Sequence, residues 1–118
     1  MSDVHIYHNP YCSKSRETLA LLQEQGITPT ITEYLKEAPS AEEIADILKK
    51  LGIGARDLMR KGETEYKELG LDNPELSEQE LVQAMADHPK LMERPVVVVG
   101  NQARIGRPPH TVLEIVNP

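Results

Sequence analysis

The stretch His8-Asn9-Pro10-Tyr11-Cys12-Ser13-Lys14-Ser15-Arg16 contains the only cysteine of the chain and separates two different sequence patterns. The β-branched run at 4–7 predicts a strand, and residues 13–25 predict a helix. Cys12 is therefore expected at the first turn of a helix, where backbone N–H groups have no intrahelical acceptor and the dipole is positive. A thiolate is favoured there, so we interpret Cys12 as a reactive nucleophile rather than a small buried apolar residue.

Polar neighbours of Cys12 support this interpretation. Arg16 follows one helical turn later and brings a cation close to the same sulfur, which favours the thiolate. Ser15 is predicted to donate its hydroxyl to the thiolate, although an ordinary first-turn serine bonded to the backbone fits the same position. His8 either tunes Cys12 by charge or hydrogen bonding or only shapes the turn, and the sequence favours neither role.

Composition restricts the classes of function. A chain of 118 residues forms one domain, which we assign to residues 1–118, and without Phe or Trp its core must be aliphatic. The net charge of −6 and the lack of aromatic stacking platforms disfavour nucleic-acid binding. The histidines show no metal-ligand spacing, so no metal site is predicted. We expect a monomer that does not associate with a membrane.

The cysteine count also indicates a compartment and constrains the redox chemistry. One cysteine and no visible signal peptide indicate the reducing cytoplasm. A single thiol cannot close an intramolecular disulfide. A redox cycle through Cys12 must therefore take its second sulfur from another molecule.

The first three elements form a recognisable unit. A strand at 4–7, a helix at 13–25 and a β-branched strand at 30–35 are typical of a βαβ unit. Its two strands are expected to be parallel and joined by a right-handed crossover.

The rest of the chain completes an α/β fold. Residues 40–90 predict a helical insertion, because capping boxes at Ser40 and Ser77 open periodic apolar segments. A β-hairpin is predicted within 95–105, followed by a last helix within 108–116. We therefore predict a four-stranded mixed sheet, βαβ followed by ββα, with a helical insertion at about residues 40–90.

This order, with a cysteine at the first βα turn and a proline opening the third strand, resembles the thioredoxin fold. The resemblance implies that Pro95 is a cis proline beside the reactive cysteine. A dithiol oxidoreductase would need a second cysteine at position 15, which is Ser15, and a phosphatase-type loop would need an arginine where Thr18 stands. A monothiol glutaredoxin fits Cys-x-x-Ser, but such proteins carry a small apolar residue where this chain has Arg94.

Three arginines are the second informative feature: Arg60, Arg94 and Arg107. In a thioredoxin-like arrangement the last two would lie near the Cys12 turn, and Arg60 could reach it from the insertion. Guanidinium groups bind tetrahedral oxyanions through paired N–H···O bonds, and they would also favour the thiolate. Each arginine alone would be interpreted as a solvated surface cation, but together they indicate an anion pocket.

These features together resemble the glutaredoxin-linked arsenate reductases of the ArsC family. The resemblance spans nearly the whole chain, and its motifs are His8-Asn9-Pro10, Cys12, Ser15-Arg16, Leu58-Met59-Arg60-Lys61, Leu69-Gly70-Leu71, His88-Pro89, Arg94-Pro95 and Arg107-Pro108. It implies that Cys12 attacks arsenate to give a thiol–arsenate adduct, while Arg60, Arg94 and Arg107 hold the oxyanion. It also implies no bound cofactor, glutathione as co-substrate, and glutaredoxin to clear the mixed disulfide as arsenite is released.

Two other functions stay open at this point. One is a glutathione-linked thiol-disulfide reductase of the same fold, which would act on glutathionylated proteins without arsenate. The other is a non-enzymatic regulator that binds RNA polymerase, as the Spx-type relatives of this fold do. Spx-type sensors commonly use Cys-x-x-Cys, so Ser15 disfavours a disulfide switch.

Overall fold

A computed structural model of the chain describes residues 3–116. Its strands and α-helices are β1 (Val4–His8), α1 (Ser13–Glu24), β2 (Thr30–Glu33), α2 (Ala41–Leu51), α3 (Ala55–Leu58), α4 (Thr64–Glu68), α5 (Glu78–Asp87), β3 (Val96–Val99), β4 (Gln102–Ile105) and α6 (Leu113–Val116). Two short 3-10 helices span Pro89–Leu91 and Pro109–Val112. The chain divides into two compact units, residues 3–37 with 94–116, and residues 38–93. The assignment of one domain to residues 1–118 stays a prediction.

The first unit contains one four-stranded sheet in the order β2-β1-β3-β4. β1 pairs with β2 in parallel, and the pairs β1–β3 and β3–β4 are antiparallel. Ile6 lies at the centre of this arrangement, opposite Ile31 on one side and Val97 on the other. The predicted four-stranded mixed sheet is confirmed, and the thioredoxin-like order places the β1–α1 turn at one end of a central strand.

The main buried cluster of this unit is aliphatic, as expected for a chain without Phe or Trp, although Tyr7 and Tyr34 are buried as well. Its buried cluster comprises Ile6, Leu22, Val97, Val112 and Ile115. The valine run in β3 predicted a strand covered on both faces, but only its first two residues are fully buried. The last predicted helix is divided, because the segment opens as a 3-10 turn before α6 begins.

Helices make up the second unit, whose range of 38–93 includes the predicted insertion. Ser40 caps α2 by accepting the Glu43 N–H at 3.1 Å, and a reciprocal capping box between Ser77 and Glu80 opens α5. Gly52 ends α2 in the left-handed region, at φ 73°. The apolar faces of α2 and α5 pack against each other within this unit.

Two further features were sought in residues 3–116. No helix in that part of the chain is long and apolar enough to cross a membrane. The same residues contain no group of three or more His, Cys, Asp or Glu side chains arranged to hold a metal ion.

Candidate active site

The loop between β1 and α1 places Cys12 at the N-cap of α1, with an extended backbone (φ −99°, ψ 124°). The Cys12 N–H donates to the Asn9 carbonyl at 3.1 Å, and the Cys12 carbonyl accepts the Arg16 N–H at 3.0 Å. The side-chain oxygen of Asn9 accepts the Tyr11 N–H at 2.9 Å, which closes an Asx turn. These bonds fix the cysteine at the entrance of the helix, where the sequence placed it.

The surroundings of Cys12 lower the pKa of its thiol from the ordinary value. Burial acts the other way and raises the pKa, since the residue is only 9% exposed. Groups that stabilise the thiolate outweigh this effect of burial. The backbone N–H groups of Ser15 and Lys14 and the Arg107 side chain donate hydrogen bonds to the sulfur, and Arg94 acts through its charge. The shift has the direction that the helix N-terminus predicted.

Arg107 is in direct contact with the sulfur. Its Nη1 lies 3.9 Å from Cys12 Sγ and 3.2 Å from the Arg94 carbonyl oxygen, so one nitrogen connects the cysteine to the segment before β3. The Arg94–Pro95 peptide bond is cis, as the thioredoxin resemblance implied. The Arg107–Pro108 bond is also cis, which nothing in the sequence predicts. The predicted association of Arg94 and Arg107 with the Cys12 turn is thus seen in the structure.

Two residues that the sequence analysis did not assign to the site, Thr18 and Gly106, bring the Arg107 turn against α1. A Cβ atom at position 106 would lie 2.6 Å from Thr18 Oγ1 and 2.8 Å from Pro95 Cγ, so a side chain there would collide with both. The Gly106 N–H also donates to the Pro95 carbonyl at 2.9 Å. Glycine often occurs where a backbone segment must approach another part of the chain closely. The sequence Gly106-Arg107-Pro108 is the signal that could have indicated this contact.

The Ser15 hydroxyl does not have its predicted partner. In the described part of the chain this fully buried oxygen lies 2.7 Å from His8 Nδ1 and accepts the Asn9 N–H at 3.0 Å, whereas no bond joins it to the Cys12 sulfur. The prediction was wrong because α1 turns the Ser15 side chain inward, toward the end of β1. Ser15 contributes to the lowered thiol pKa through its backbone N–H instead.

His8 is buried beside Ser15, and its pKa is lowered from the ordinary value. Burial is the main cause, the Glu33 carboxylate partly opposes it, and the charge of Arg16 lowers the pKa further. The lowered pKa favours the neutral imidazole, and the bond of His8 to Ser15 fits the turn-shaping role. Tuning of Cys12 by His8 stays a prediction.

Arg16 and Arg60 have partners of their own. The exposed Arg16 donates from Nη1 to the Pro10 carbonyl at 3.0 Å, so it braces the loop, and its effect on Cys12 stays a prediction. Arg60 belongs to the second unit, where its guanidinium pairs with the Glu63 carboxylate. The assignment of Arg60 to the oxyanion also stays a prediction.

The fold and the site define a thioredoxin-like protein with a cysteine of lowered pKa at the first βα turn, two arginines that act on its sulfur, and a cis proline before the third strand. The family model described as "ArsC family" matches residues 7–115. The chain belongs to the ArsC family.

Individual relatives are similar over almost their full length. An uncharacterised protein of Escherichia coli K12 is 59% identical over 96% of both chains. A protein of Haemophilus influenzae named arsenate reductase is 56% identical, over 95% of this chain and 97% of its own. A solved structure titled arsenate reductase from Vibrio cholerae is 55% identical, covers 98% of both chains and superposes with a TM-score of 0.95.

Proposed function

We propose that the protein is an arsenate reductase in which Cys12 is the nucleophile. The observation that carries this proposal is a lone cysteine with a lowered pKa whose sulfur lies 3.9 Å from an arginine nitrogen. A thiolate is the reactive form of cysteine in covalent catalysis, and guanidinium groups bind tetrahedral oxyanions. The names of relatives at 50–56% identity support arsenate as the oxyanion.

In the first step the Cys12 sulfur bonds to arsenic(V), and one arsenate oxygen leaves as water after taking up protons. Arg94 and Arg107 would hold the remaining oxygens and the charge that develops on them. Arg60 would be the third cationic ligand, as the family resemblance implies.

Reduction needs two electrons, which this chain cannot supply from one thiol. A glutathione thiolate would attack the Cys12 sulfur and break the sulfur–arsenic bond, whose electron pair stays on arsenic. Arsenic(V) thereby becomes arsenite, and Cys12 becomes a mixed disulfide with glutathione. A second thiol, from glutaredoxin, would attack this disulfide and regenerate the Cys12 thiolate. No resident cofactor is needed. This dependence on glutathione and glutaredoxin, the cytoplasmic location and the monomeric state belong to the proposal.

A coupled assay tests the proposal directly. Arsenate-dependent NADPH oxidation is measured with glutathione, glutaredoxin and glutathione reductase, using the wild type and Cys12→Ser. We expect turnover that requires all components and is lost in Cys12→Ser. Turnover that persists in Cys12→Ser, or none in the wild type, rejects the proposal. A parallel reaction with a glutathionylated protein and no arsenate tests the alternative reductase, which would show turnover there only.

A further inference from the structure

Arg60 is fixed at both its backbone and its side chain within the second unit. Its N–H donates to the Leu91 carbonyl at 2.7 Å, and its carbonyl accepts the Glu63 N–H at 3.2 Å. Its Nη1 forms an ion pair with the Glu63 carboxylate, and the two side chains are 28% and 25% exposed. Glu63 thus contacts Arg60 twice, once from its backbone and once from its carboxylate.

This ion pair restricts a side chain that is otherwise flexible. An arginine that must bind an anion loses rotamer freedom when it binds, and a partner that already orders it reduces that loss. The contact with Glu63 involves one terminal nitrogen, and a guanidinium has five N–H donors in all. Donors therefore remain for a second, anionic partner in a fixed direction.

We propose that Glu63 is a positioning residue that orders the Arg60 guanidinium for an oxyanion which Glu63 itself does not touch. The inference rests on the proposed function, which assigns Arg60 to arsenate. The negative charge of Glu63 also repels an anion, but both side chains contact solvent, which screens that repulsion. Solvent does not weaken the restriction that the ion pair places on the rotamers of Arg60, so we expect the ordering of Arg60 to outweigh the repulsion of the anion by Glu63.

The test is an arsenate titration followed by NMR on the Arg60 side chain. Cys12→Ser is used as the parent so that no covalent adduct forms, and the Arg60 Nε–H resonance is assigned by its loss in Arg60→Lys. Arsenate is titrated into the parent and into the parent carrying Glu63→Ala, Glu63→Gln or Glu68→Ala. Glu68 is the matched control, because it is an exposed carboxylate at the last residue of α4, the helix whose N-cap residue is Glu63.

We expect Glu63→Ala to weaken arsenate binding by about two- to tenfold, the range for loss of order in one long side chain. Glu63→Gln should lie between Glu63→Ala and the parent, since its amide oxygen still accepts a hydrogen bond, and Glu68→Ala should bind like the parent. The heteronuclear NOE of Arg60 Nε should fall in Glu63→Ala. Tighter or unchanged binding in Glu63→Ala, or an Arg60 resonance that arsenate does not move, overturns the inference.

This experiment is independent of turnover. If the wild type fails the coupled assay, the proposed function fails, while the affinities still decide whether Glu63 orders Arg60 for an oxyanion. If the wild type reduces arsenate but the affinities do not follow the expected order, only the inference about Glu63 fails.

Discussion

Arg107→Ala tests whether the charge of Arg107 stabilises the Cys12 thiolate. At a separation close to the 3.9 Å between Arg107 Nη1 and Cys12 Sγ, two unit charges attract by about 1 kcal/mol in bulk water and about 4 kcal/mol at an effective dielectric constant near 20. Arg107 is exposed, so the lower figure applies. A loss of about 1 kcal/mol corresponds to an approximately fivefold smaller thiolate population below the midpoint of the thiol titration.

The assay is the rate of alkylation by iodoacetamide as a function of pH. At pH values below the midpoint we expect Arg107→Ala to react about fivefold more slowly than the wild type, and the difference to shrink at high salt. Arg104→Ala is the matched control, since it removes the same charge three residues earlier in the chain, from β4, where Arg104 pairs with Glu114 instead of contacting the sulfur. An alkylation profile of Arg107→Ala that matches the wild type would show that this contact does not stabilise the thiolate.

Ser15→Ala deprives the buried His8 ring and the Asn9 N–H of their shared partner, so we expect about 1–3 kcal/mol of destabilisation in urea unfolding, and a change below about 0.5 kcal/mol contradicts this. Leu22→Ala opens a cavity in the fully buried aliphatic cluster and should cost about 2–5 kcal/mol in the same measurement, whereas a near-neutral result would place Leu22 outside the core. The pKa of Cys12 is lower in the folded than in the unfolded chain. The free energy of unfolding of the wild type, relative to that of Cys12→Ser, should therefore increase as the pH rises from the folded-state pKa to the unfolded-state pKa, and should stay constant above it. A stability difference that grows as the pH falls through this window contradicts the lowered pKa.

Local patterns in the sequence were sufficient for most of the fold. Alternation and β-branched runs located the strands, and the capping boxes at Ser40 and Ser77 located the start of two helices. Boundaries differ by one or two residues where a turn intervenes. The second strand, for example, ends at Glu33 because the Glu33 carbonyl accepts two turn N–H groups, from Lys36 and Glu37.

The buried face of α1 shows why part of the site could not be predicted. Its inward positions are Ser15, Thr18 and Leu22, so two of the three are polar and hydrophobic periodicity does not mark them. Ser15 is tolerated inside because His8 and Asn9 satisfy its hydroxyl, and such a partner comes from a different element.

Two arginines of the site, by contrast, could be predicted from the sequence. Arg94 and Arg107 each precede a proline, which the sequence shows directly, and the structure brings both to Cys12. The pairing of Arg60 with Glu63 was missed, although the i,i+3 spacing of opposite charges is a signal that the sequence contains.

The central claim is that the Cys12 sulfur forms a bond to arsenic, and arsenic K-edge X-ray absorption on protein incubated with arsenate measures that bond most directly. The wild type should show one sulfur ligand on arsenic, and Cys12→Ser should show oxygen ligands only. An all-oxygen arsenic shell in the wild type, under conditions where the Cys12 thiol is ionised, would contradict the account.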